Sequence, residues 1–487
     1  MSEAASSAPI PSFPPLLAAG SQPVVHFGGR WFDGDWMVAS AGAVLEAAGG
    51  DGAIALVARN RPSHVAVMAG ALEAGRALTM IHSAQSPARL AADIARLRRP
   101  AVVAQREDWT DEVLAAARKA GSAAIALSDG EGRATLEVLS PRGAGPFDEP
   151  PPGTALELLS SGTTGAPKQV PLSRETVSRS LAASGTMYAG SDGAKPQIMA
   201  APLGNISGLG YAMPPLMNRQ PLVLLDRFGP REWAGAIREF KPTRGSLPPA
   251  GIRMMLDSDV PPEWLASLEV VGVGGGKVDP DLQAAFEAKY GVAVTLAYGA
   301  TEFAGVVAAW TTDLYREFGM AKRGSSGRAI PSAKLRVVDA ASGEPLAPGE
   351  EGVLEVQAER IGPDWIRTTD LARIDADGFL FIHGRADGAI NRGGFKVLPE
   401  AIAAALCEHP AVADAAALGI ADDRLGEVPV AAVELVPGAH VRSDELRAYL
   451  SDRLLAWQQP VDIRVLTALP RNQSLKVALG ELKVLFQ

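Results

Sequence analysis

Short, nearly continuous apolar runs alternate with Ala-rich stretches through the first half of the chain. Ala53-Ile54-Ala55-Leu56-Val57-Ala58 predicts a buried strand, and His64 to Ala74 predicts a helix that Gly75 stops. A second strand is expected over Ala77 to Ile81, a second helix over Ala88 to Arg98, and a third strand over Ala101 to Ala104. Strand, helix and strand in steps of roughly 20–25 residues indicate βαβ units and a mostly parallel sheet. The pattern returns at Pro221 to Leu225, with a helix over Arg231 to Phe240, and again at Leu268 to Val273. After about Arg323 the texture changes. Turn residues separate short runs at Lys334–Val338, Gly352–Val356 and Gly378–Ile382, which predict a small antiparallel unit. A helix over Pro399 to Leu406, strands over Ala411–Leu418, Val428–Leu435 and Val461–Val465, and a helix over Ser443 to Leu455 then form a compact α+β tail. The change in composition places a domain boundary near residues 385–390.

Composition adds limits to this picture. In 487 residues, 47% are hydrophobic and 21% charged, which suits a packed multidomain protein and excludes a disordered or collagen-like chain. Lys and Arg number 46 against 55 Asp and Glu, a net charge of −9. That argues against a non-specific nucleic-acid binder. A single cysteine, Cys407, cannot form a disulfide within the chain, and a reducing, cytoplasmic setting is expected. No run approaches the roughly 18–20 apolar residues of a spanning helix, so no membrane partner is expected. The first 25 residues, rich in proline, read as a loose arm and not as a signal peptide. The closing Val484-Leu485-Phe486-Gln487 resembles the remnant of a viral 3C-type protease site and is set apart from fold reasoning. His409 and His383 lack partners at metal-ligand spacing, and no zinc site is expected.

Chemistry concentrates in Ser160-Ser161-Gly162-Thr163-Thr164-Gly165-Ala166-Pro167-Lys168, which follows the apolar Leu158-Leu159. Glycines let backbone N–H groups approach an anion, hydroxyls add donors, and Lys168 adds charge. The Gly-Lys-Ser/Thr ending of a Walker A loop is missing. The plain alternative is a Ser/Thr/Gly surface turn.

The loop resembles the signature of the adenylate-forming superfamily, which includes acyl- and aryl-CoA synthetases, peptide-synthetase adenylation domains and luciferases. Further segments match in the family's order. Tyr298-Gly299-Ala300-Thr301-Glu302 resembles the second signature, and Thr369-Asp370-Leu371-Ala372 with His383-Gly384-Arg385-Ala386-Asp387 the third. Asn391-Arg392-Gly393-Gly394-Phe395-Lys396 resembles the glycine loop that enters the site after domain rotation, and Leu469 to Lys476 the closing motif. The resemblance spans roughly residues 50–480. It implies an α/β architecture: a large N-terminal adenylation domain, residues 1–386, of layered α/β subdomains plus a small β-barrel-like unit, then a small mobile α+β domain, residues 387–487, hinged at Asp387.

It also implies an activity, ATP-dependent acid–CoA ligation through acyl-AMP, with ATP, Mg2+ and coenzyme A as cofactors and a carboxylic acid as the other partner. ATP would be held by Ser160, Ser161, Gly162, Thr163, Thr164, Gly165, Lys168, Gly274, Gly275, Tyr298, Gly299, Thr301, Asp370 and Arg385. Asp370 offers two acceptors for paired ribose hydroxyls, and Arg385 a planar donor fork. Glu302 is the expected Mg2+ ligand, because a carboxylate beside a triphosphate is repelled unless a cation lies between. Lys476, with Glu302, Thr163 and Lys168, would carry the adenylation chemistry. Arg392, Gly393, Gly394 and Lys396 would line the coenzyme A path, with solvated surface charge as the alternative for Arg392 and Lys396. The acid pocket is expected at Asn205, Ile206, Leu209, Met213, Gly276, Ala300, Ala304 and Val306, although each apolar member also suits ordinary core.

Two departures stand out. Leu475 replaces the glycine that usually precedes the lysine of the closing motif, and Asn205 replaces a usual histidine. Amino-acid-activating relatives place an aspartate where Ile206 stands, so a substrate ammonium would lack a partner and an apolar acid is favoured. A carrier-protein-loading enzyme, a non-catalytic binding member and a luciferase-type oxygenase share enough of these motifs to stay open.

Overall fold

The computed structural model describes residues 13, 15–83, 85–160, 168–188, 195–276, 278–385, 388–392, 395–422, 425–451, 453, 454, 457–472 and 474–487. Among them the strands form five sheets. The first βαβ region builds a seven-stranded sheet. Ala123–Ser128, Ala101–Gln105, Ile54–Ala58, Leu78–His82 and Thr154–Ser160 run parallel, and Thr135–Ser140 and Lys168–Ser173 close the edges antiparallel. Its central strands Ile54–Ala58 and Ala101–Gln105 are buried along their whole length, as a doubly covered parallel sheet requires. The helices Pro62–Glu73 and Pro87–Leu97 lie between them, close to the expected ranges.

A second parallel layer joins Arg244–Leu247, Val270–Gly274 and Ala293–Ala300, then turns antiparallel into Gly305–Ala309 and Arg328–Ala329. A smaller sheet pairs Gln197–Met199, Leu222–Leu224, Pro23–Phe27 and Arg30–Asp33. The described part of the expected loose arm is therefore not loose. Leu16 is 1% exposed, Phe13 is buried, and Pro23–Phe27 runs parallel to Leu222–Leu224. Apolar side chains among the prolines gain more from burial than the arm gains from freedom.

The antiparallel unit after Arg323 consists of Ala333–Val338, Glu351–Ala358, Ile366–Ile374 and Leu380–Arg385. Its core encloses Phe303, Val307 and Ala308 of the second layer. Ile366–Ile374, which carries Asp370, has too many polar positions to stand out in the sequence. The C-terminal sheet joins Ile390–Arg392, Phe395–Val397, Val412–Asp422, Gly426–Leu435 and Asp462–Leu466, covered by Pro399–Cys407 and Ser443–Ser451. Leu455, where the last helix was expected to end, lies outside the described residues. Phe486, in the segment set apart above, packs on this unit with Arg464 over its ring at 4.9 Å. No described helix is long and apolar enough to cross a membrane.

Candidate active site

The hairpin of Thr154–Ser160 and Lys168–Ser173 pairs Ser160 with Lys168, so the two residues frame the hydroxyl- and glycine-rich tip. The tip itself, with Ser161, Gly162, Thr163, Thr164 and Gly165, lies outside the described residues. Its base is braced below the surface. Glu157 accepts from Arg99 at 2.5 Å and from Thr79 Oγ1 at 2.9 Å, and Arg99 Nε also donates to Thr79 Oγ1 at 2.9 Å. Arg99 and Glu157 side chains are each 3% exposed, so this is a closed ionic network within the sheet that carries the hairpin.

Tyr298 ends the next cluster. Its hydroxyl donates to Asp370 Oδ2. Burial first, and then the negative charge of Asp370, raise the pKa of the Tyr298 phenol, which keeps it a neutral donor. Asp370 sits opposite Arg385 in the strand register, and its N–H donates to Thr368 Oγ1 at 3.0 Å. Thr368 in turn donates to the Leu354 carbonyl at 2.8 Å. The carboxylate is thus oriented by a rigid sheet and by neighbours on two sides.

Glu302 lies on the turn Thr301–Phe303 that follows Tyr298. It is exposed, and its carboxylate makes no hydrogen bond or ion pair among the described residues. The turn behind it is held from inside. Buried Arg360 donates to the carbonyls of Phe303 and Val306 at 2.5 and 2.6 Å, and Ser180 Oγ donates to the carbonyl of Ala304 at 2.5 Å. Burial lowers the Arg360 pKa to about 10, still protonated at neutral pH.

Lys476 reaches this space from the C-terminal part of the chain. A Cβ placed on Gly275 would stand 3.7 Å from both Cε and Nζ of Lys476, an ordinary van der Waals contact, and Gly275 has φ +83°, so glycine serves there for backbone conformation. Lys476 keeps exposed surface, yet crowding around its ammonium, then the positive charge of Arg385, lower its pKa, with Asp370 opposing. Tyr298, Asp370, Arg385, Gly275 and Lys476 therefore meet in one cleft. The loop that brings the lysine is self-bonded: Asn472 Oδ1 accepts from the N–H groups of Ser474 and Lys476, each at 3.0 Å, and Arg471 pairs with Val477 across it.

A family model described as AMP-binding enzyme matches residues 34–361, and one described as AMP-binding enzyme C-terminal domain matches residues 401–476. The chain belongs to the AMP-binding enzyme family. It is 30% identical over 348 residues to 4-coumarate–CoA ligase-like 9 of Oryza sativa subsp. japonica, covering 66% of this chain and 62% of that protein. It is 31% identical over 343 residues to 2-succinylbenzoate–CoA ligase of Geobacillus kaustophilus, covering 67% and 68%. The fold matches that of ATP-bound MatB from Rhodopseudomonas palustris with a TM-score of 0.81 at 23% identity, over 97% of each chain. The chain thus shares the adenylate-forming fold, with a large N-terminal domain and a small C-terminal one.

In this AMP-binding enzyme the residues expected to line an acid pocket divide between buried core and positions with exposed surface. Asn205 caps the helix Ile206–Met217, accepting from the Gly208 N–H at 2.9 Å, and its Nδ2 makes a weak 3.5 Å hydrogen bond to Ser474 Oγ. Gly208 is required by packing, since a Cβ there would meet the Leu203 and Pro202 backbone at 2.5 Å. Ile206 is half-buried against the main core. Leu209 and Met213 are 1% and 0% exposed within that core, and Ala304 is 0% exposed, so these three present no surface to a ligand. They were expected as lining. The reason is helical phase: Leu209 and Met213 fall on the buried face of a helix that packs against Arg174–Tyr188 and against the strands Gln197–Met199, Leu222–Leu224 and Gly305–Ala309. Ala300, Val306 and Gly276 keep partial exposure.

The expected coenzyme A residues are only partly described. Gly393, Gly394 and the hinge residue Asp387 lie outside the described residues, as does the side chain of Lys396. Arg392 NH1 donates to the Trp457 and Gln459 carbonyls at 3.0 and 3.1 Å, bonding within its own domain.

Sequence reasoning missed Arg99, Thr79, Glu157, Arg360, Ser180, Thr368, Asn472 and Asn60. Asn60 donates to the Ala201 and Leu225 carbonyls at 3.1 and 2.9 Å and accepts from the Leu203 N–H at 2.9 Å, fixing the turn before Asn205. A polar pair, Arg59-Asn60, directly after a fully apolar strand was the available signal for Asn60. Asn472 and Thr368 act on neighbours two to four positions away, while the others act through partners distant in sequence and carry no local signal.

Proposed function

We propose that this protein is an AMP-forming acid–thiol ligase: a carboxylic acid and ATP give acyl-AMP and pyrophosphate, and the thiol of coenzyme A then takes the acyl group. The observation that carries this reading is the meeting of Lys476 with Tyr298, Asp370 and Arg385 beside Gly275. An acceptor pair held by a phenol and a strand suits ribose hydroxyls. Two cations suit the α-phosphate and the incoming carboxylate. The relatives named CoA ligases support the same class, and the ATP-bound neighbour supports a nucleotide in the cleft.

A free carboxylate is a poor acylating agent because its leaving group would be oxide. Attack on the α-phosphorus converts that oxygen into part of a phosphate leaving group. Negative charge grows on the phosphoryl oxygens, where Lys476, Lys168 and the loop N–H groups stabilise it. Free Glu302 fits a Mg2+ ion. No three His, Cys, Asp or Glu side chains cluster among the described residues, so the remaining ligands would be phosphate oxygens and water. When bound, the ion neutralises part of the triphosphate charge. Arg360 and Ser180 keep Glu302 in place.

The proposed domains are residues 1–386 and 387–487, with Asp387 as hinge. Rotation would withdraw Lys476 and bring in the Gly393-Gly394 loop, giving one cleft two successive chemistries. The favoured acid is apolar, aryl or alkyl, since Ile206 offers no partner to an ammonium. Pyrophosphate release screened over aromatic, short, medium and long acids, with coenzyme A or a phosphopantetheinylated carrier as acceptor, tests the reading. An acid-dependent release followed by acyl-CoA formation is expected. Silence across the acids would refute it, and thioester on the carrier alone would move the acceptor assignment.

A further inference from the structure

Leu475 stands where the closing motif usually has glycine, and its φ is +57°, in the left-handed region. The loop leaves it no alternative. Its N–H donates to the Asn472 carbonyl at 2.9 Å, its own carbonyl accepts from Arg471 at 3.1 Å, and the flanking N–H groups of Ser474 and Lys476 are held by Asn472. Arg471 is itself tied to Asp414. A glycine would adopt this backbone freely, whereas a leucine holds it against repulsion between its Cβ and the backbone. The bonds that impose it are made within the C-terminal part of the chain, by Arg471 and Asn472.

The compensation is conditional on position. Leu475 is half-buried against a core cluster that includes Phe228, Trp233, Val273 and Leu296. Every buried residue of that cluster lies between Ile198 and Leu296, in the large domain. Beside Leu475, Ser474 receives the Asn205 hydrogen bond and Lys476 lies against Gly275. One tripeptide therefore makes an apolar, a polar and a charged contact across the domain boundary. In this arrangement, with Lys476 in the cleft, the leucine is half-buried by residues of the large domain.

We propose that Leu475 is a positioning residue, an apolar latch that seats Lys476 for acid activation and shifts the balance of domain positions toward that arrangement. It rests on the ligase reading and deepens it by naming what sets the balance. Leucine thus favours the first half-reaction at the expense of the second.

Three full-length variants test this: Leu475→Gly, Leu475→Ala and Leu475→Met. Leu475→Gly should lower kcat/KM for acyl-AMP formation roughly 5- to 10-fold, from the loss of one half-buried side chain. Thioester formation from supplied acyl-AMP should be unchanged or faster, and Tm should not fall, because the backbone strain is relieved. Leu475→Ala keeps the strain and should lose both adenylation and Tm. Leu475→Met should retain near-parental adenylation. Equal losses in both half-reactions of the glycine variant, or undiminished adenylation in it, would overturn the latch. Hydrogen exchange of peptides covering Pro249–Gly276 reads docking without substrate. Leu475→Gly should raise exchange there while Leu475→Met does not, even if no acid releases pyrophosphate. Equal protection in the two variants would overturn the latch, whereas a silent acid screen alone would overturn only the ligase reading.

Discussion

Asp370 and Lys476 face the same cleft from opposite kinds of scaffold. Asp370 stands in the middle of a nine-residue strand, opposite Arg385, with Tyr298 and Thr368 fixing its two ends. Lys476 stands on a tight loop whose backbone bonds are made within the loop itself and whose preceding residue is strained. A strand-borne group is held by long-range pairing and cannot move without its sheet. A loop closed on itself can travel as a unit and keep its shape. The two sides of the cleft are thus held differently, one by long-range strand pairing and one by bonds within a single loop. The large domain invests in buried networks, and the small domain in a self-contained carrier of one charge.

The comparison breaks first if the fixed side proves unsupported. Glu157→Ala leaves Arg99 buried without its carboxylate, and should lower stability by about 3–5 kcal/mol, read as a fall in Tm or denaturant midpoint. A loss below 1 kcal/mol would show that the network under the hairpin is dispensable. Next is the side carried by the loop. Lys476→Ala should lower acyl-AMP formation by roughly 10²–10³-fold while thioester formation from supplied acyl-AMP survives. Equal loss in both would place Lys476 outside the first step.

Tyr298→Phe probes the fixed side more gently. It removes a charge-assisted hydrogen bond of about 1.5–3 kcal/mol and should raise the KM for ATP roughly 10- to 100-fold with little effect on kcat. An unchanged KM would separate Asp370 from the ribose. The smallest effect concerns pH. Burial lowers the His64 pKa from 6.5 to about 3, so the folded protein keeps this imidazole neutral while the unfolded chain protonates it. The stability it contributes is whole above pH 6.5 and is lost progressively as pH falls toward 3. His64→Gln should flatten Tm against pH in that window, and a slope equal to the parent would contradict the assignment.

The sequence made the motif residues legible because their chemistry is compact: glycines, hydroxyls and a lysine in nine positions, or an acid next to a turn. Strands of uniformly apolar residues were equally plain, as at Ile54–Ala58 and Ala101–Gln105. Half-polar strands were not. Ile366–Ile374 carries four polar residues in a row, Arg367 to Asp370, the last of which faces the cleft, so its composition resembles a loop. Leu209 and Met213 were read as lining because their segment neighbours Asn205, and only packing showed that their face turns inward.

Residue order alone determined the family, the sequence of motifs and the two-part α/β plan, since local pattern and short-range chemistry suffice for these. The tertiary structure decided the rest. It joined Arg99 to Glu157, 58 positions away, and Asn205 to Ser474, 269 positions away. It placed Lys476 over Gly275, and it gave Leu475 both a strained backbone and a neighbouring core. Such contacts depend on how sheets stack and domains dock, and no local stretch of the chain encodes them by itself.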